Sequence, residues 1–454
     1  MELGLERVHA LLGLFDQPQH RVPFIHVAGT NGKGSTSAFL ASIYEQAGLR
    51  VGVFSSPHFL HPRDAIRING RALALEAWTR WRGRVDAAVE QHLHGAPPTE
   101  FERETAVAWL VFHEARVDLA VVECGLGGRL DATNAGHDGE ASCKLACIIT
   151  PIGLDHQRLL GDTTTAIATE KAGIFLPRVP VILAAQPDDA AMRTLVAIAR
   201  EMDCELVHGT TAAAWHGSPI EGNARIERAG NATLHVRMRL AGDAQLVNVA
   251  TAIATVDTLK LSASSGITDD AIVKGVETAR WPWRLEWLTV PQHLLPSSSS
   301  SSSASIRLLL DGAHNPDAAR LLRQHVDSQL AAAPSSPRRV LWIVGLSAEK
   351  DAHGVLAELL RADDQLCAVP FSQPVAMPWV HCQSPDAIVA VAQQQLPSIT
   401  AKAMPDIASA LDYYARELPG HAGSSLLVVC GSLYLAADVY RLFGCTLDDL
   451  RACA

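Results

Sequence analysis

The stretch Phe24-Ile25-His26-Val27-Ala28-Gly29-Thr30-Asn31-Gly32-Lys33-Gly34-Ser35-Thr36 reads as a buried strand, a glycine-rich turn and the start of a helix. Glycines let backbone N–H groups wrap a phosphate, and a helix N-terminus adds positive potential. Lys33 can reach the outer phosphates, and the Ser35 hydroxyl can bind Mg²⁺. The spacing departs from G-x-x-x-x-G-K-[ST], because Gly34 separates the lysine from the serine. A glycine-rich turn alone is a weak signal. With the flanking strand, the lysine and Ser35-Thr36, it points to phosphate binding by Thr30, Asn31, Gly32, Lys33, Gly34, Ser35 and Thr36.

Outward from this stretch, apolar runs alternate with helical patterns. Phe24–Ala28, Arg50–Phe54, Leu119–Glu123, Ala146–Thr150 and Val181–Ala184 read as strands. Gly34–Ala47, Leu75–Leu93, Glu102–Glu114, Thr163–Phe175 and Ala190–Glu201 read as helices between them. That alternation implies βα units and a mostly parallel sheet covered on both faces, an α/β fold. Ala224–Leu240 alternates apolar and polar residues and reads as a hairpin at the sheet edge; helices near Val247–Leu261 and Thr268–Ala279 follow. After residue 281 the pattern restarts, with strands at Arg284–Val290, Arg307–Leu310, Val340–Val344, Asp364–Val369 and Leu426–Val429. Helices near Ala318–Gln329, Ala352–Arg361, Pro385–Gln395, Ile407–Glu417 and Tyr434–Phe443 accompany them. The chain therefore divides into residues 1–280 and a smaller α/β domain, 281–454. The seven serines Ser297–Ser303 cannot build a core, so residues 296–305 read as a mobile loop between two strands that could pair.

Composition narrows the partners. Apolar residues make up 48% of the 454 and charged residues 19%, which suits a well-cored globular protein of two or three domains. The net charge of −10 argues against nucleic acid or an anionic membrane as the main partner. No apolar run reaches the roughly 18 residues of a membrane span, and Met1–His9 has no signal-peptide core, so a cytoplasmic location is expected, with a mitochondrial pool left open. The nine cysteines are scattered without a C-x-x-C pair and read as reduced thiols. The sequon Asn231-Ala232-Thr233 reads as an accident.

Two further strand ends carry chemistry. Val121-Val122-Glu123-Cys124-Gly125-Leu126-Gly127-Gly128-Arg129-Leu130-Asp131-Ala132-Thr133-Asn134 is a poor dinucleotide fingerprint, because Leu130 stands where the third glycine belongs. Glu123, closing an apolar strand, is better placed as a metal carboxylate; the bland alternative is a solvated glutamate. In Thr150-Pro151-Ile152-Gly153-Leu154-Asp155-His156, Asp155 or His156 could bind metal or handle a proton, or be structural. Lys171, in Glu170-Lys171-Ala172-Gly173-Ile174, reads by itself as a surface lysine on a helix.

Taken in order, these segments resemble the folylpolyglutamate synthase/dihydrofolate synthase family of the Mur-ligase superfamily. The likeness begins at Leu3-Gly4-Leu5-Glu6-Arg7 and includes Gly29–Ser35, Ser55-Ser56-Pro57-His58 and Thr99-Glu100-Phe101-Glu102. It continues through Glu123–Asn134, Leu154-Asp155-His156, Glu170–Ile174 and Asp311-Gly312-Ala313-His314-Asn315-Pro316 to Cys430-Gly431-Ser432-Leu433-Tyr434. The resemblance implies a Mur-ligase-like fold: a P-loop domain with a mostly parallel sheet, plus a smaller Rossmann-like domain that closes over ATP and binds glutamate. It implies a monomeric ligase with ATP as substrate and two Mg²⁺ ions. Ser35, Ser56, Glu123 and His156 match metal ligands. Lys171 matches a lysine that the family carbamylates. Lys33, Lys171 and His314 are the catalytic candidates, and Asn248, Arg284 and Asp311 match nucleotide contacts. Thr99, Glu100, Phe101 and Glu102, with Leu130, Asp131 and Ala132, match segments that hold the pterin. One departure is plain: Trp281-Pro282-Trp283-Arg284 stands where the family has Trp-Pro-Gly-Arg.

Within that family, the chain looks like the fungal-type dihydrofolate synthases at Met1–Leu5, Pro62-Arg63-Asp64 and Met377-Pro378-Trp379-Val380-His381. The implied reaction joins L-glutamate to 7,8-dihydropteroate through an acyl phosphate. The alternative is a folylpolyglutamate synthase that lengthens a folate tail. A cell-wall Mur ligase leaves the pterin segments unexplained. A P-loop regulatory module of another class leaves Asp311–Pro316 unexplained.

Overall fold

Five successive apolar or neutral residues leave Phe24–Ala28 no polar face, and a strand without one must be covered on both sides. In a computed structural model of the chain this is strand β1 (Phe24–Ala28), buried along its whole length. The structure describes residues 4–136, 142–209, 212–217, 222–228, 233–262, 266–294, 306–332, 339–417 and 425–445. The serine run 297–303 lies outside them. Two units result, the first within Met1–Gly217, Glu221–Arg239 and Asp243–Arg280, the second within Leu240–Gly242 and Trp281–Ala454.

Among the described residues, the first unit has β2 (Val51–Phe54), β3 (Ile66–Ile68), β4 (Arg71–Ala72), β5 (Leu119–Glu123), β6 (Lys144–Ile149), β7 (Val181–Leu183) and β8 (Leu206–His208) beside β1. They form one sheet in the order β4-β3-β2-β5-β1-β6-β7-β8. Every pair is parallel except β2–β3 and β3–β4. The helices are α1 (Glu6–Gly13), α2 (Lys33–Gln46), α3 (Leu75–His92), α4 (Glu100–Ala115), α5 (Gln157–Leu160), α6 (Thr164–Ala172), α7 (Asp189–Glu201), α8 (Ala244–Ser262) and α9 (Asp269–Thr278). Helices α1, α3 and α4 bury Val8, Leu11, Trp81, Val85, Trp109 and Phe112 with Phe24 and Phe54 of the sheet. Helices α6 and α7 bury Ile167 and Leu195 with Ala28, Ile149 and Val181.

The hairpin expected at the sheet edge belongs elsewhere. Strands β10 (Gly222–Glu227) and β11 (Thr233–Met238) do pair antiparallel, but with β9 (Ala212–Gly217) they make a separate three-stranded sheet. The alternation in β10 buries one face only, so it marks a two-sided strand without saying which sheet owns it.

The second unit holds β12 (Glu286–Thr289), β13 (Arg307–Leu310), β14 (Arg339–Val344), β15 (Gln365–Ala368), β16 (Thr400–Ala403) and β17 (Ser425–Cys430), ordered β12-β13-β17-β14-β15-β16. Here β12 runs antiparallel to β13, and the other pairs are parallel. Helices α10 (Pro316–Ala332), α11 (Ala352–Leu359), α12 (Pro385–Gln395), α13 (Ile407–Glu417) and α14 (Leu433–Leu442) accompany them. Trp342, Val344, Leu356 and Ile388 are among the buried residues of its core.

The second unit opens on a turn the sequence singles out. Trp283 has φ 53° and Leu285 φ 48°, both left-handed. A non-glycine residue there costs about 1–2 kcal/mol. Trp283 is nonetheless 4% exposed and packs edge-on against Trp281 at 5.8 Å. Losing a buried tryptophan costs about 3–5 kcal/mol, which outweighs the relief. Trp283→Gly is therefore expected to lower stability by about 2–3 kcal/mol net. Urea unfolding measures this, and a variant more stable than the parent would show that the strain dominates.

Candidate functional site

Three strand ends meet at one edge of the first unit's sheet. In register, Val27 lies beside Glu123 of β5, and Ala28 beside Ile149 of β6. The chain runs from β1 out to β4, returns through β5 and crosses to β6, so β1 sits at the switch of direction. Open α/β sheets bind ligands in the crevice at such a point. The three segments singled out in the sequence leave from these adjacent ends.

The loop after β1 is anchored from beneath. The Thr30 and Asn31 N–H groups both donate to the Pro151 carbonyl, at 3.0 and 3.1 Å, and the Thr30 hydroxyl donates to the Gly153 carbonyl at 3.1 Å. Two glycines permit this path. Gly29 has φ 144°, and a Cβ there would lie 1.8 Å from Thr150 Oγ1. Gly32 has φ 89°, and a Cβ there would lie 2.3 Å from Asn248 Oδ1. Asn248 on α8 also accepts from the Thr36 hydroxyl at 3.5 Å and donates to Gln245 at 3.0 Å. Helix α2 starts at Lys33 with Gly32 as its N-cap and no side-chain cap, an arrangement that leaves amide donors for an anion.

Two lysines converge on this loop. Lys33 Nζ donates to the carbonyls of Gly29 (3.1 Å) and Thr30 (3.3 Å) and lies 3.9 Å from Glu123 Oε1. Lys171 Nζ donates to the same Gly29 carbonyl at 2.7 Å. Lys171 is thus not the surface residue its sequence context suggests. It is 5% exposed, one turn after Ile167 on the buried face of α6. Burial, reinforced by the nearby Lys33 charge, lowers its pKa to about 7. Glu123 is likewise buried, 4% exposed, which removes the solvated-glutamate reading.

Ser35 is buried at the start of α2, and Ser56 follows β2, half-buried. His156 precedes α5 with φ 52°, its Nε2 4.0 Å from Asp155 Oδ2. Among the described residues, no three His, Cys, Asp or Glu side chains gather as a ready-made metal centre. Glu123 and Ser35 adjoin the phosphate-type loop, while Ser56 and His156 follow the ends of β2 and β6; together they offer a carboxylate, hydroxyls and an imidazole. They fit a hard divalent cation that shares its shell with substrate phosphates and water.

The expected pterin segments lie at the ends of α4 and β5. Thr99 is the N-cap of α4 and shares a capping box with Glu102. Phe101 stacks on Phe54 at 5.8 Å. Leu130 is half-buried, and Ala132 opens a short helical turn. Asp131 turns inward: its carboxylate accepts from the N–H groups of Leu126 (2.8 Å) and Thr133 (3.0 Å) and from the Thr133 hydroxyl (2.5 Å). Burial pushes its pKa up, and those donors act against the rise.

The sequence gives no hint of two supports. His26 Nε2 lies 2.8 Å from Thr133 Oγ1 and 3.1 Å from Cys124 Sγ, tying β1 to the segment after β5. Lys144, buried in β6, donates to Asn134 (3.2 Å) and to the Ile174 carbonyl (2.8 Å). Cys124, Cys143, Cys147, Cys204, Cys367, Cys382 and Cys430 are free thiols. No helix among them is long and apolar enough to cross a membrane.

In the second unit, buried Asp311 accepts from the N–H groups of Leu285 (2.9 Å) and Ala313 (2.8 Å). Burial raises its pKa, and the Arg284 charge opposes the rise. His314 Nδ1 lies 2.7 Å from the Gly312 carbonyl, and the Gly312 N–H donates to the Trp283 carbonyl at 3.0 Å. Arg284, Asp311 and His314 therefore lie on two adjoining segments of that unit, 283–285 and 311–314.

A family model described as dihydrofolate synthetase, C-terminal domain, matches residues 293–442. A probable dihydrofolate synthetase of Schizosaccharomyces pombe is 35% identical over 97% of this chain and 98% of its own. The folylpolyglutamate synthase of Mycobacterium tuberculosis, solved with ADP and AMPPCP, is 25% identical and superposes with a TM-score of 0.83, covering 98% of this chain and 96% of that one. A bifunctional folylpolyglutamate synthase/dihydrofolate synthase from Yersinia pestis, solved with AMPPNP and a Mn ion, is 28% identical with a TM-score of 0.76 over 97% and 93% of the two chains. Likeness of this extent, over a phosphate-type loop flanked by a half-buried lysine, a buried lysine and a buried carboxylate, places the chain in the folylpolyglutamate synthase/dihydrofolate synthase family.

Proposed function

We propose that this chain is a dihydrofolate synthase, which uses ATP to join L-glutamate to 7,8-dihydropteroate and yields dihydrofolate, ADP and phosphate. The observation that carries the reading is the convergence of Lys33 and Lys171 on the Gly29 carbonyl beside Glu123. The Schizosaccharomyces pombe relative, 35% identical, and the family model over 293–442 support the pterin acceptor.

A carboxylate is a poor electrophile, so the γ-phosphoryl group of ATP is first transferred to it. The glutamate amine then attacks the acyl phosphate, and phosphate leaves. The first step brings two anions together. Lys33 and the uncapped amides of α2 offset that repulsion and stabilise the transferring group. Ser35, Ser56, Glu123 and His156 would hold the two Mg²⁺ ions expected, which supply charge neutralisation on the phosphates. Lys171, carbamylated, contributes a negative group to the same region. Asn248 orients the loop and contacts the nucleotide. Within the second unit, Arg284 and Asp311 are candidates for nucleotide contacts and His314 for catalysis. Thr99–Glu102 and Leu130–Ala132 bind the pterin, Asp131 by fixing the shape of its own loop. The protein acts as a cytoplasmic monomer, which light scattering and fractionation check.

The test is ADP release with glutamate and Mg²⁺, comparing 7,8-dihydropteroate with tetrahydrofolate. Dihydropteroate should give the higher kcat/KM. A preference for tetrahydrofolate would make the chain a folylpolyglutamate synthase, and no glutamate-dependent release with either would sink the ligase reading. A second measurement tests the metal assignment. Glu123→Gln replaces an anionic oxygen with a neutral one, so half-activation should need about tenfold more Mg²⁺ or beyond. An unchanged Mg²⁺ titration would remove Glu123 from the ligand set.

A further inference from the structure

The first turn of α4 is held by arginines from two other helices. Glu102 lies on that turn with its side chain 5% exposed, and Arg7 of α1 reaches it twice: Nη2 to Oε1 at 3.0 Å and Nε to Oε2 at 3.1 Å. The same Oε2 accepts the Thr99 N–H at 2.6 Å, closing the capping box at the helix start. On its other side, Arg82 of α3 binds Glu100 (2.8 Å), Glu104 (2.7 Å) and Asp86 (2.9 Å). Arg103 also pairs with Asp86, at 2.6 Å. Between Glu100 and Glu102 sits Phe101. Its ring lies on Phe54, and a Cβ on Gly125 would come within 2.6 Å of it.

A carboxylate capping box needs no arginine to form, since hydroxyl and carboxylate satisfy each other. A planar guanidinium on the same carboxylate adds a fixed direction, because its fork matches the two oxygens. It also ties the turn to α1, 95 residues earlier in the chain. The buried carboxylate therefore has one rotamer, and the backbone from Thr99 to Glu102 has one position relative to Gly125.

We propose that Arg7 is a positioning residue for the pterin: through Glu102 it sets the first turn of α4, so that Phe101 and Thr99 meet the substrate at a fixed distance from the Gly125–Ala132 segment. This rests on the assignment of Thr99–Glu102 to the pterin site made above. The effect belongs to pterin affinity and not to the nucleotide, because the Arg7–Glu102 fork acts on the start of α4, whereas the Gly29–Thr36 loop is anchored on the Pro151 and Gly153 carbonyls.

The test is steady-state kinetics on the full chain with Arg7→Ala, Arg7→Lys and Phe101→Ala. Arg7→Ala should raise KM for 7,8-dihydropteroate about tenfold, with KM for ATP and kcat at saturation within about twofold of the parent. Arg7→Lys keeps the charge without the fork and should fall between. It carries the test if the alanine variant does not fold, and a parental KM for dihydropteroate would then overturn the proposal. A merely structural role would instead lower kcat with the dihydropteroate KM unchanged, and that result from a folded variant also overturns it. Phe101→Ala separates the two levels. If it raises the dihydropteroate KM while Arg7→Ala does not, positioning by Arg7 is wrong and the site reading stands. If neither changes it, the pterin assignment of Thr99–Glu102 itself fails.

Discussion

Lys33→Ala is expected to cut glutamate-dependent ADP release about a thousandfold while the chain stays folded. The lysine begins α2 and points its amine at the Gly29 and Thr30 carbonyls, 3.9 Å from Glu123. Lys171 reaches the same Gly29 carbonyl but is only 5% exposed, whereas the Lys33 side chain is 17% exposed and so the more accessible cation. Removing Lys33 takes away the charge that meets the outer phosphates and leaves no apolar cavity. It does leave Glu123 in a buried site with less positive charge near it, which costs about 1–3 kcal/mol. For a chain of this length that is a fall in Tm of several degrees, not unfolding. A second consequence is electrostatic. The Lys33 charge helps hold the Lys171 pKa down, so its loss should let that pKa rise. The measurement is ADP release at saturating substrates beside a thermal melt. Near-parental glutamate-dependent turnover would end the phosphate-loop assignment.

How much of this was legible beforehand follows from what kind of residue carries each feature. Strands β1 and β5 and helices α12 and α13 have the bounds their apolar runs suggest, because a fully buried strand or a clear helical stripe has little else it can be. Strand β16, Thr-Ala-Lys-Ala, has none of that: it lies at a sheet edge, and three of its four residues are exposed. Strands β3 and β4 are three and two residues long, below the length at which alternation means anything. The hairpin at β10–β11 was legible as a hairpin, but its sheet was not. Alternation reports a buried face, and ownership depends on a third strand whose sequence, Ala-Ala-Ala-Trp-His-Gly, carries no period.

The site divides the same way. The Gly29–Thr36 loop is local, so its glycines, lysine and hydroxyls could be read from spacing alone. The position of Glu123 at a strand end could be read too, but its burial could not. Lys171 stood within reach: Ile167, Ala168, Lys171 and Ala172 are spaced to share one helix face, and Ile167 marks that face as inward. Treating the charge as proof of exposure hid the pattern. What no spacing rule can supply is the long-range partner. The Arg7–Glu102 fork spans 95 residues, and His26–Thr133 spans 107.

Lys171→Ala is expected to remove most of the activity, with the largest share of the effect traceable to a reversible modification. CO₂ adds to a neutral amine, not to an ammonium. An ordinary lysine near pH 7.5 has only about one amine in a thousand neutral. Lys171, with its pKa lowered to about 7 by burial and by Lys33, has roughly half or more. Carbamylation would turn that group into an anion beside the loop. Dialysed parent enzyme should therefore gain activity when bicarbonate is added, and the gain should grow as pH rises through about 7, where the proton leaves. Lys171→Glu carries a permanent carboxylate at similar reach and should recover part of the activity with no bicarbonate response. Stability provides an independent check on the same group. The folded pKa of the unmodified lysine lies below the unfolded one, so between the two the unfolded chain holds the extra proton and stability rises with pH. The cost of burying the charge is complete below about 7 and fades above it. Thermal melts without bicarbonate should then show Lys171→Ala gaining on the parent as pH is lowered from about 9 to about 6. If the alanine variant is fully active and its melting difference does not change with pH, Lys171 neither carries a carbamate nor titrates near neutrality. The metal site would then have to be built from Ser35, Ser56, Glu123 and His156 without it.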